Sequence, residues 1–359
     1  VAETRATIPT SRTGPNQSQE EADPRALRAR RRYWGLTLCA VLLAAMAAAS
    51  VFIGTRSIPP RVTVQAIVAY DPTSSEHLLV WHLRLPRALL GIVVGCALGV
   101  AGALMQALTR NPLADPGILG VNAGATLAIV AAIAFFGIID VTGYLWFGLA
   151  GAALAGGGVY LLGGIRRGLN PVRLVLAGSA LSVVLLALTQ IITVNSNEQV
   201  FDQFRHWVVG SLQGRGFDVL LPTAVLIALA LGASVALGRM LDAMALGYDS
   251  GKALGASPRM VWIVSALIVI VLAGTATAAA GPVSFVGLTA PHVARFVVGP
   301  DHRWLLPFSM VFSALMVVGA DVLGRLVGHP GEVAVGIMVA LIGGPFFIVL
   351  VQRWRMVRL

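Results

Sequence analysis

Charge is scarce in this chain: 12% of its 359 residues are Asp, Glu, Lys or Arg, against 57% hydrophobic, and the mean hydropathy is +0.82. That leaves too little polar surface to solvate a soluble body of this size. Lysine is nearly missing, with Lys252 as the one lysine among 26 basic residues. Cysteine is limited to Cys39 and Cys96, each alone in an apolar segment. Without a CxxC or a pair at metal-ligand spacing, a disulfide framework and a thiolate metal site are both excluded, and the redox compartment stays open. No Ser/His/Asp or Cys/His grouping is present around which a catalytic site could be organised. Together these absences exclude an ordinary soluble enzyme.

What fills the chain instead is apolar sequence of membrane-crossing length. About 20 apolar residues cross a hydrocarbon core. On that ruler ten spans are expected, near 34–54, 86–108, 118–138, 144–164, 172–194, 218–238, 260–280, 282–298, 304–326 and 333–352. The eighth is expected to be bent or short, because Gly281-Pro282, Pro291 and His292 interrupt it. Residues 1–23 are polar and aperiodic, and the basic run Arg25-Ala26-Leu27-Arg28-Ala29-Arg30-Arg31-Arg32 follows. The expected division is a disordered basic cytoplasmic tail over 1–32 and one all-α transmembrane domain over 33–359. A basic run before an apolar helix also suits a signal peptide. Residues 33–54 are long for that role and lack a convincing small-residue cleavage site, so an uncleaved first helix is expected.

The net charge of +10 does not point to nucleic acid, because the positives are scattered between apolar segments rather than gathered on one face. With the N-terminus in the cytoplasm and ten spans, 19 of the 26 basic residues fall inside and seven outside. That is the positive-inside bias, and the even span count returns the C-terminus to the cytoplasm. The outer set includes Arg84, Arg87 and Arg325 at the ends of apolar spans. One reading is snorkelling to the interface; the other is a positive pocket for a partner's carboxylates.

Polar and helix-breaking residues concentrate in 84–124. The segment opens on Arg84-Leu85-Pro86-Arg87 and closes on Gln106, Arg110-Asn111-Pro112-Leu113-Ala114-Asp115-Pro116 and Gly120. Backbone that leaves helical geometry at membrane depth must be buried in protein or line a wet cavity, so this stretch points to a solute pathway.

These motifs, with Gly102-Ala103-Leu104-Met105-Gln106, Gly124-Ala125, Leu176-Ala177-Gly178 and Trp207-Val208-Val209-Gly210-Ser211, resemble the FecCD family. The resemblance continues through Ala245-Leu246-Gly247, Ala253-Leu254-Gly255, the run from Gly281 to Arg295, Asp301-His302-Arg303, Ala320-Asp321, Glu332 to Gly336, and Gly343-Gly344-Pro345. That family comprises the membrane permeases of ABC importers for ferric siderophores, haem and cobalamin. The resemblance implies a type II ABC importer transmembrane domain of ten helices. Its implied partners are a second permease subunit, as homodimer or heterodimer, two cytoplasmic ATPases that hold the ATP and Mg, and an extracytoplasmic solute-binding protein. No cofactor is expected on this chain.

Residue by residue, the resemblance implies binding-protein docking at Arg84, Arg87 and Arg325. It implies a cytoplasmic gate at Asn111 and Leu113 facing Pro171 and Val172, although Pro171 also suits the first turn of a helix. Gln106 and Ser179 are candidate pathway residues; Gln106 equally suits a hydrogen bond between packed helices. ATPase coupling is implied for the loop at about 239–259, through Ala245, Leu246, Gly247, Ala253, Leu254, Gly255, Ala256, Ser257 and Pro258. This loop reads as two short helices joined by a Gly turn.

Gly251-Lys252 is not a phosphate loop, since the spacing is wrong, Ala253 stands where Ser or Thr is needed, and no strand precedes it. His292 has no His or carboxylate at i+3 or i+4 and reads as a packing residue at a helix break. Asp321 and Glu332 read as partners of Arg325 or of a helix N-terminus rather than as an acid/base pair. The function expected is the transmembrane permease subunit of a binding-protein-dependent ABC importer in the bacterial plasma membrane, carrying a ferric siderophore, with haem or cobalamin as alternatives. The rival of another class is an ion-coupled secondary transporter, which would need carboxylates deep in the membrane.

Overall fold

The computed structural model describes residues 24–163, 171–245, 247–255 and 257–353, and these residues are helical with no strand among them. The helices are α1 (Pro24–Phe52), α2 (Pro60–Val68), α3 (Ser75–Leu79), α4 (Leu85–Thr109), α5 (Val121–Phe136), α6 (Val141–Leu162) and α7 (Pro171–Val194). They continue as α8 (Glu198–Val208), α9 (Phe217–Ala245), α10 (Tyr248–Ala253), α11 (Pro258–Ala280), α12 (Val286–Val298), α13 (His302–Val327) and α14 (Val335–Arg353). Seven of the helical runs are long and apolar enough to cross a membrane, and three shorter apolar helices, at 121–136, 286–298 and 335–349, stand where the remaining spans are expected. α12 rises only about 20 Å over its 13 residues, short of the roughly 30 Å core. An extended leg at 281–285, with Gly281 at φ 76° and Phe285 at φ 68°, precedes it.

Two expectations need adjustment. α1 begins at Pro24, so the basic run Arg25 to Arg32 is helical rather than part of the disordered tail expected over 1–32. The coupling segment is not a pair of short helices, because α9 runs on to Ala245 and only α10 stands between it and α11. Residues 1–23 of the expected tail, and Leu246 and Ala256 of the coupling segment, lie outside the described residues.

Local chemistry explains the helix starts. Asp140 accepts from the Gly143 amide at 2.6 Å, Asn197 from Val200 at 3.0 Å and Asp301 from Arg303 at 3.1 Å. Each satisfies an amide that the first turn of a helix leaves without a partner. Between α2 and α3 the Thr73 hydroxyl and amide both donate to Asp71, which holds that carboxyl below its ordinary pKa.

α4 and α11 form the centre, with 78% of their most apolar windows buried, whereas α1 and α7 bury 11% and lie at the periphery. Small residues let the backbones meet. A methyl at Gly95 or Gly99 of α4 would strike Ala314, Ser309 or Ser313 of α13, and one at Gly102 would collide with the Gly287 carbonyl of α12. Gly124 of α5 and Gly151 of α6 face each other in the same way. In lipid, where apolar surface gains nothing by leaving hydrocarbon, such close van der Waals approach is a main source of helix association.

Directions follow from the contacts. α1 lies parallel to α13, since Tyr33 meets Trp304 near their starts and Ser50 meets Arg325 near their ends. α4 is antiparallel to α13, with Arg87 against Asp321 and Gly99 against Ser309 and Ser313. First and ninth spans parallel, second and ninth antiparallel, is the arrangement that ten alternating spans require. The two ends are named inner, carrying the 110–120 turn and α10, and outer, after the charge bias.

Candidate functional site: an outer clasp, a buried bridge and an inner turn

At the outer end Arg84, 8% exposed, donates through Nη1 to the carbonyls of Val51 and Phe52 at 3.1 and 3.0 Å, and through Nη2 to that of Arg56. Arg325, 3% exposed, donates to the Ser50 carbonyl at 2.7 Å, to the Ser50 hydroxyl at 2.6 Å and to the Ile53 carbonyl. The carbonyls of Ser50, Val51 and Phe52 are those that the last turn of α1 leaves unpaired, and a cation at a helix C-terminus also favours the helix dipole. Arg325 further meets Asp321 at 2.6 Å, and Arg87 bridges Asp321 at 2.7 Å and Glu332 at 2.8 Å.

The three arginines expected to dock a binding protein are therefore engaged inside the chain. The physical reason is that α1 and the residues after it bring bare carbonyls beside Arg84 and Arg325, that Asp321 and Glu332 bring carboxylates to Arg87, and that a buried guanidinium must use its donors. Asp321 and Glu332 do pair with arginine, as their positions in the sequence suggested, although Glu332 reaches Arg87 rather than Arg325.

Beside this clasp three stretches far apart in sequence form a backbone knot. Ser211 donates to the Ala280 carbonyl at 2.7 Å, and Gly336 to the Gly210 carbonyl at 3.0 Å. Gly210, at φ 77°, has Pro282 and Gly336 too close for any side chain. Trp207 anchors the arrangement by donating from Nε1 to the Ala278 carbonyl at 3.4 Å. Sequence reasoning noted these motifs singly and missed that they meet. It also missed the α8 helix, whose signal was available in the Asn197 cap followed by Val200, Phe204 and Trp207 at helical spacing.

In the last turn of α4, Gln106 is fully buried. Its amide nitrogen donates to the carbonyls of Gly287 and Leu288 at 3.4 and 3.3 Å, and its oxygen accepts from Arg295 at 3.1 Å. Of its two expected roles the structure shows the bridge between packed helices rather than a wall of the pathway, because all of these contacts point into α12. The other pathway candidate, Ser179, is exposed on α7. His292 packs edge-on against Phe296, with ring centroids 4.8 Å apart.

At the inner end α4 stops at Arg110, whose φ of 49° breaks the helix. Asn111 Oδ1 accepts from the Leu113 amide at 3.0 Å and Asp115 Oδ1 from Gly117 at 2.8 Å, which caps a single 3-10 turn over Pro116–Leu119. The two expected gate residues on this side thus build a turn, and Asn111 shapes it. The turn packs on α7, where a side chain at Gly178 would collide with the Ile118 carbonyl. Pro171 is the first residue of α7, and Val172 in its first turn is exposed.

α10 folds back so that Gly251 sits against Ala243 and Met244, while Lys252, Ala253, Gly255 and Ser257 are exposed and Leu254 is 65% exposed. Gly247 at φ 116° and Gly255 at φ 84° supply the two reversals, and Pro258 opens α11 as its first residue. Two links tie the end of α9, on which this knob packs, to the bundle. Arg110 donates to the Met244 carbonyl at 3.2 Å, and Asp242 accepts from both the amide and the ring of His302, at 2.9 and 2.7 Å. The inner turn of α4 and the start of α13 are thereby joined to the end of α9.

The FecCD transport family matches residues 41–353 of the chain. Among relatives, a Bacillus subtilis (strain 168) protein described as a siderophore transport system permease, YfiZ, is 42% identical over 322 residues, covering 89% of this chain and 96% of the relative. The ferric enterobactin transport system permease FepD of Escherichia coli (strain K12) is 43% identical over 320 residues, with 89% and 94% covered. The hemin transport system permease HmuU of Yersinia pestis is 36% identical over 290 residues, with 79% and 86% covered. A solved structure described as a metal-chelate type ABC transporter in an inward-facing conformation superposes with a TM-score of 0.77 at 29% identity, over 91% of this chain and all of that one. With the family matched across nearly the whole helical bundle, and with relatives alike along almost their full length, the chain belongs to the FecCD transport family.

Proposed function

We propose that the chain is the membrane-spanning subunit of a binding-protein-dependent ABC importer that carries a ferric siderophore into the cytoplasm. The observation that carries this reading is the α10 knob. It is a short helix between two glycine reversals, with Leu254 exposed, and it packs on the end of α9, whose Met244 carbonyl accepts from Arg110 beside the turn that holds Asn111 and Leu113. An ATPase subunit seated on Lys252 to Ser257 has a direct mechanical route to that turn, so closure on ATP and Mg moves the gate elements 111–113 and 171–172. The chain hydrolyses nothing and holds no cofactor; two partner ATPases supply the energy. A second permease, a copy or a paralogue, completes the pathway, and an extracytoplasmic binding protein delivers the chelate at the outer end. Both termini lie in the cytoplasm. The siderophore class is favoured over haem because YfiZ and FepD are more alike to this chain than HmuU is.

The test is reconstitution in proteoliposomes with the cognate ATPase and binding protein. ATP-dependent uptake of a radiolabelled ferric siderophore that persists after ion gradients are collapsed is expected. Uptake driven by a proton or sodium gradient without ATP would overturn the mechanism, and haem uptake without siderophore uptake would overturn the substrate.

A further inference from the structure

The start of α13 is flanked at the inner end by two cavities. One, about 660 Å³, opens between α13 and α1 and is lined by Arg32, Tyr33, Asp301, Arg303 and Trp304 among others. The second, about 460 Å³, lies between α13 and α9 and carries Arg239, with Arg303 and Pro307 common to both. Three guanidinium groups thus face one lining carboxylate. Asp301 meets Arg32 at 3.6 Å and Arg303 at 3.2 Å, offsetting only one positive charge, and Arg32 also donates to the Val298 carbonyl at 2.9 Å. The nearby Asp242 is engaged by His302.

The surroundings describe the ligand. Tyr33 and Trp304 pack edge to face at 4.7 Å, and the Arg32 guanidinium lies 5.7 Å from the Trp304 ring centre, an amphipathic wall of the kind found at headgroup level. Toward the membrane centre α1 and α9 expose aliphatic side chains, Leu38, Val41 and Leu42 on the one and Leu229 and Val235 on the other. Phosphate alone would have no use for that apolar continuation. Arg30 and Arg31, exposed on the adjoining turn of α1, add to the positive field.

We infer that these paired cavities bind an anionic phospholipid, with its phosphate on Arg303 between Arg32 and Arg239 and its acyl chains along α1 and α9. A basic pocket between helices on the cytoplasmic side is the setting in which such headgroups are held. The inference requires only that the chain spans a bilayer, so it stands or falls separately from the transport reading.

The test is native mass spectrometry of the full chain, released from neutral detergent after exposure to phosphatidylglycerol, cardiolipin or phosphatidylcholine. Retention of phosphatidylglycerol at least fivefold above phosphatidylcholine is expected, with cardiolipin, whose two phosphates can reach both cavities, retained more strongly. Arg303→Gln should cut the preference about fivefold, the effect of roughly one arginine near a headgroup. Its side chain is exposed and the Asp301 cap uses the residue 303 amide, which glutamine keeps, so folding is unaffected. Arg205→Gln, an exposed outer-end charge, should leave the preference unchanged. Equal retention of phosphatidylcholine, an equal loss in Arg205→Gln, or displacement of the lipid by millimolar inorganic phosphate would each overturn the proposal. Displacement by the assembled ATPase would also overturn it, by assigning the surface to a protein partner.

Discussion

Arg84 and Arg325 show how a residue's job depends on what lies beside it in space. Their guanidinium groups complete the end of α1: the Ala49 carbonyl is taken by the Ile53 amide, and those of Ser50, Val51 and Phe52 by the two arginines. Asp321 in turn serves both Arg87 and Arg325. Breaking one member of a buried ion network leaves the others charged and unpaired, which costs about 3–5 kcal/mol. Asp321→Ala is therefore expected to lower the thermal midpoint of the purified chain markedly. Arg84→Glu and Arg325→Glu should do the same, with loss of binding-protein association only as a consequence of lost structure. A charge reversal at either arginine that leaves the melting temperature unchanged but abolishes binding-protein capture would restore the docking role. The sequence showed that arginines sit at span ends; it could not show which carbonyls 28 to 275 positions away would face them, because that is decided by packing. Gln106 is a milder case. Gln106→Leu leaves the Arg295 donor and the Gly287 and Leu288 carbonyls without their partner, at about 1–3 kcal/mol by thermal melt. ATP-driven uptake should be retained in proportion to folded protein, since the side chain faces α12 rather than the solute.

Among the elements, α10 concentrates the functional argument. Its six residues cannot hold a helix alone, and it is held by the Gly251 approach to Ala243 and Met244. Leu254→Glu puts a charge on the exposed face without touching that packing. The variant is expected to fold with an unchanged melting temperature, to lose tenfold or more of its ATPase capture in a pull-down, and to lose uptake in parallel. Normal ATPase binding by this variant would remove α10 as the coupling element. Glycine at the helix crossings predicts the opposite pattern: Gly102→Val should abolish the fold through collision with the α12 backbone, and hence expression, with no selective effect on coupling. The reversals at Gly247 and Gly255 and the start of α11 at Pro258 were legible from the Gly and Pro punctuation, but the partition of the segment was not. Nothing in the sequence around 238–245 stops a helix, so α9 continues past the apolar stretch into what was expected to be loop.

For the whole molecule, apolar length was enough to mark ten spans; seven of the helical runs reach membrane-crossing length there, and three shorter apolar helices stand at the others. The knot at 209–211, 280–283 and 335–336 was not legible, since it joins backbone across more than 120 positions and depends on small residues whose motifs look alike wherever they occur. The same architecture makes a claim about direction. α1 parallel to α13 and α4 antiparallel to it agree with an even count of alternating crossings, so Ser250 of α10 and Gln199 of α8 must lie on opposite sides of the bilayer. Introduced as Ser250→Cys and Gln199→Cys, both at exposed positions, they can be probed with a membrane-impermeant maleimide after Cys39 and Cys96 are replaced by Ala. Gln199→Cys should label in intact cells and Ser250→Cys only in inside-out vesicles. Labelling of both from one face would break the alternation and with it the ten-span count. Labelling of each from the face opposite to that expected would keep the fold and invert its orientation. In that event the arginine-rich start of α1 would lie outside, and an ATPase in the cytoplasm could not reach α10 at all.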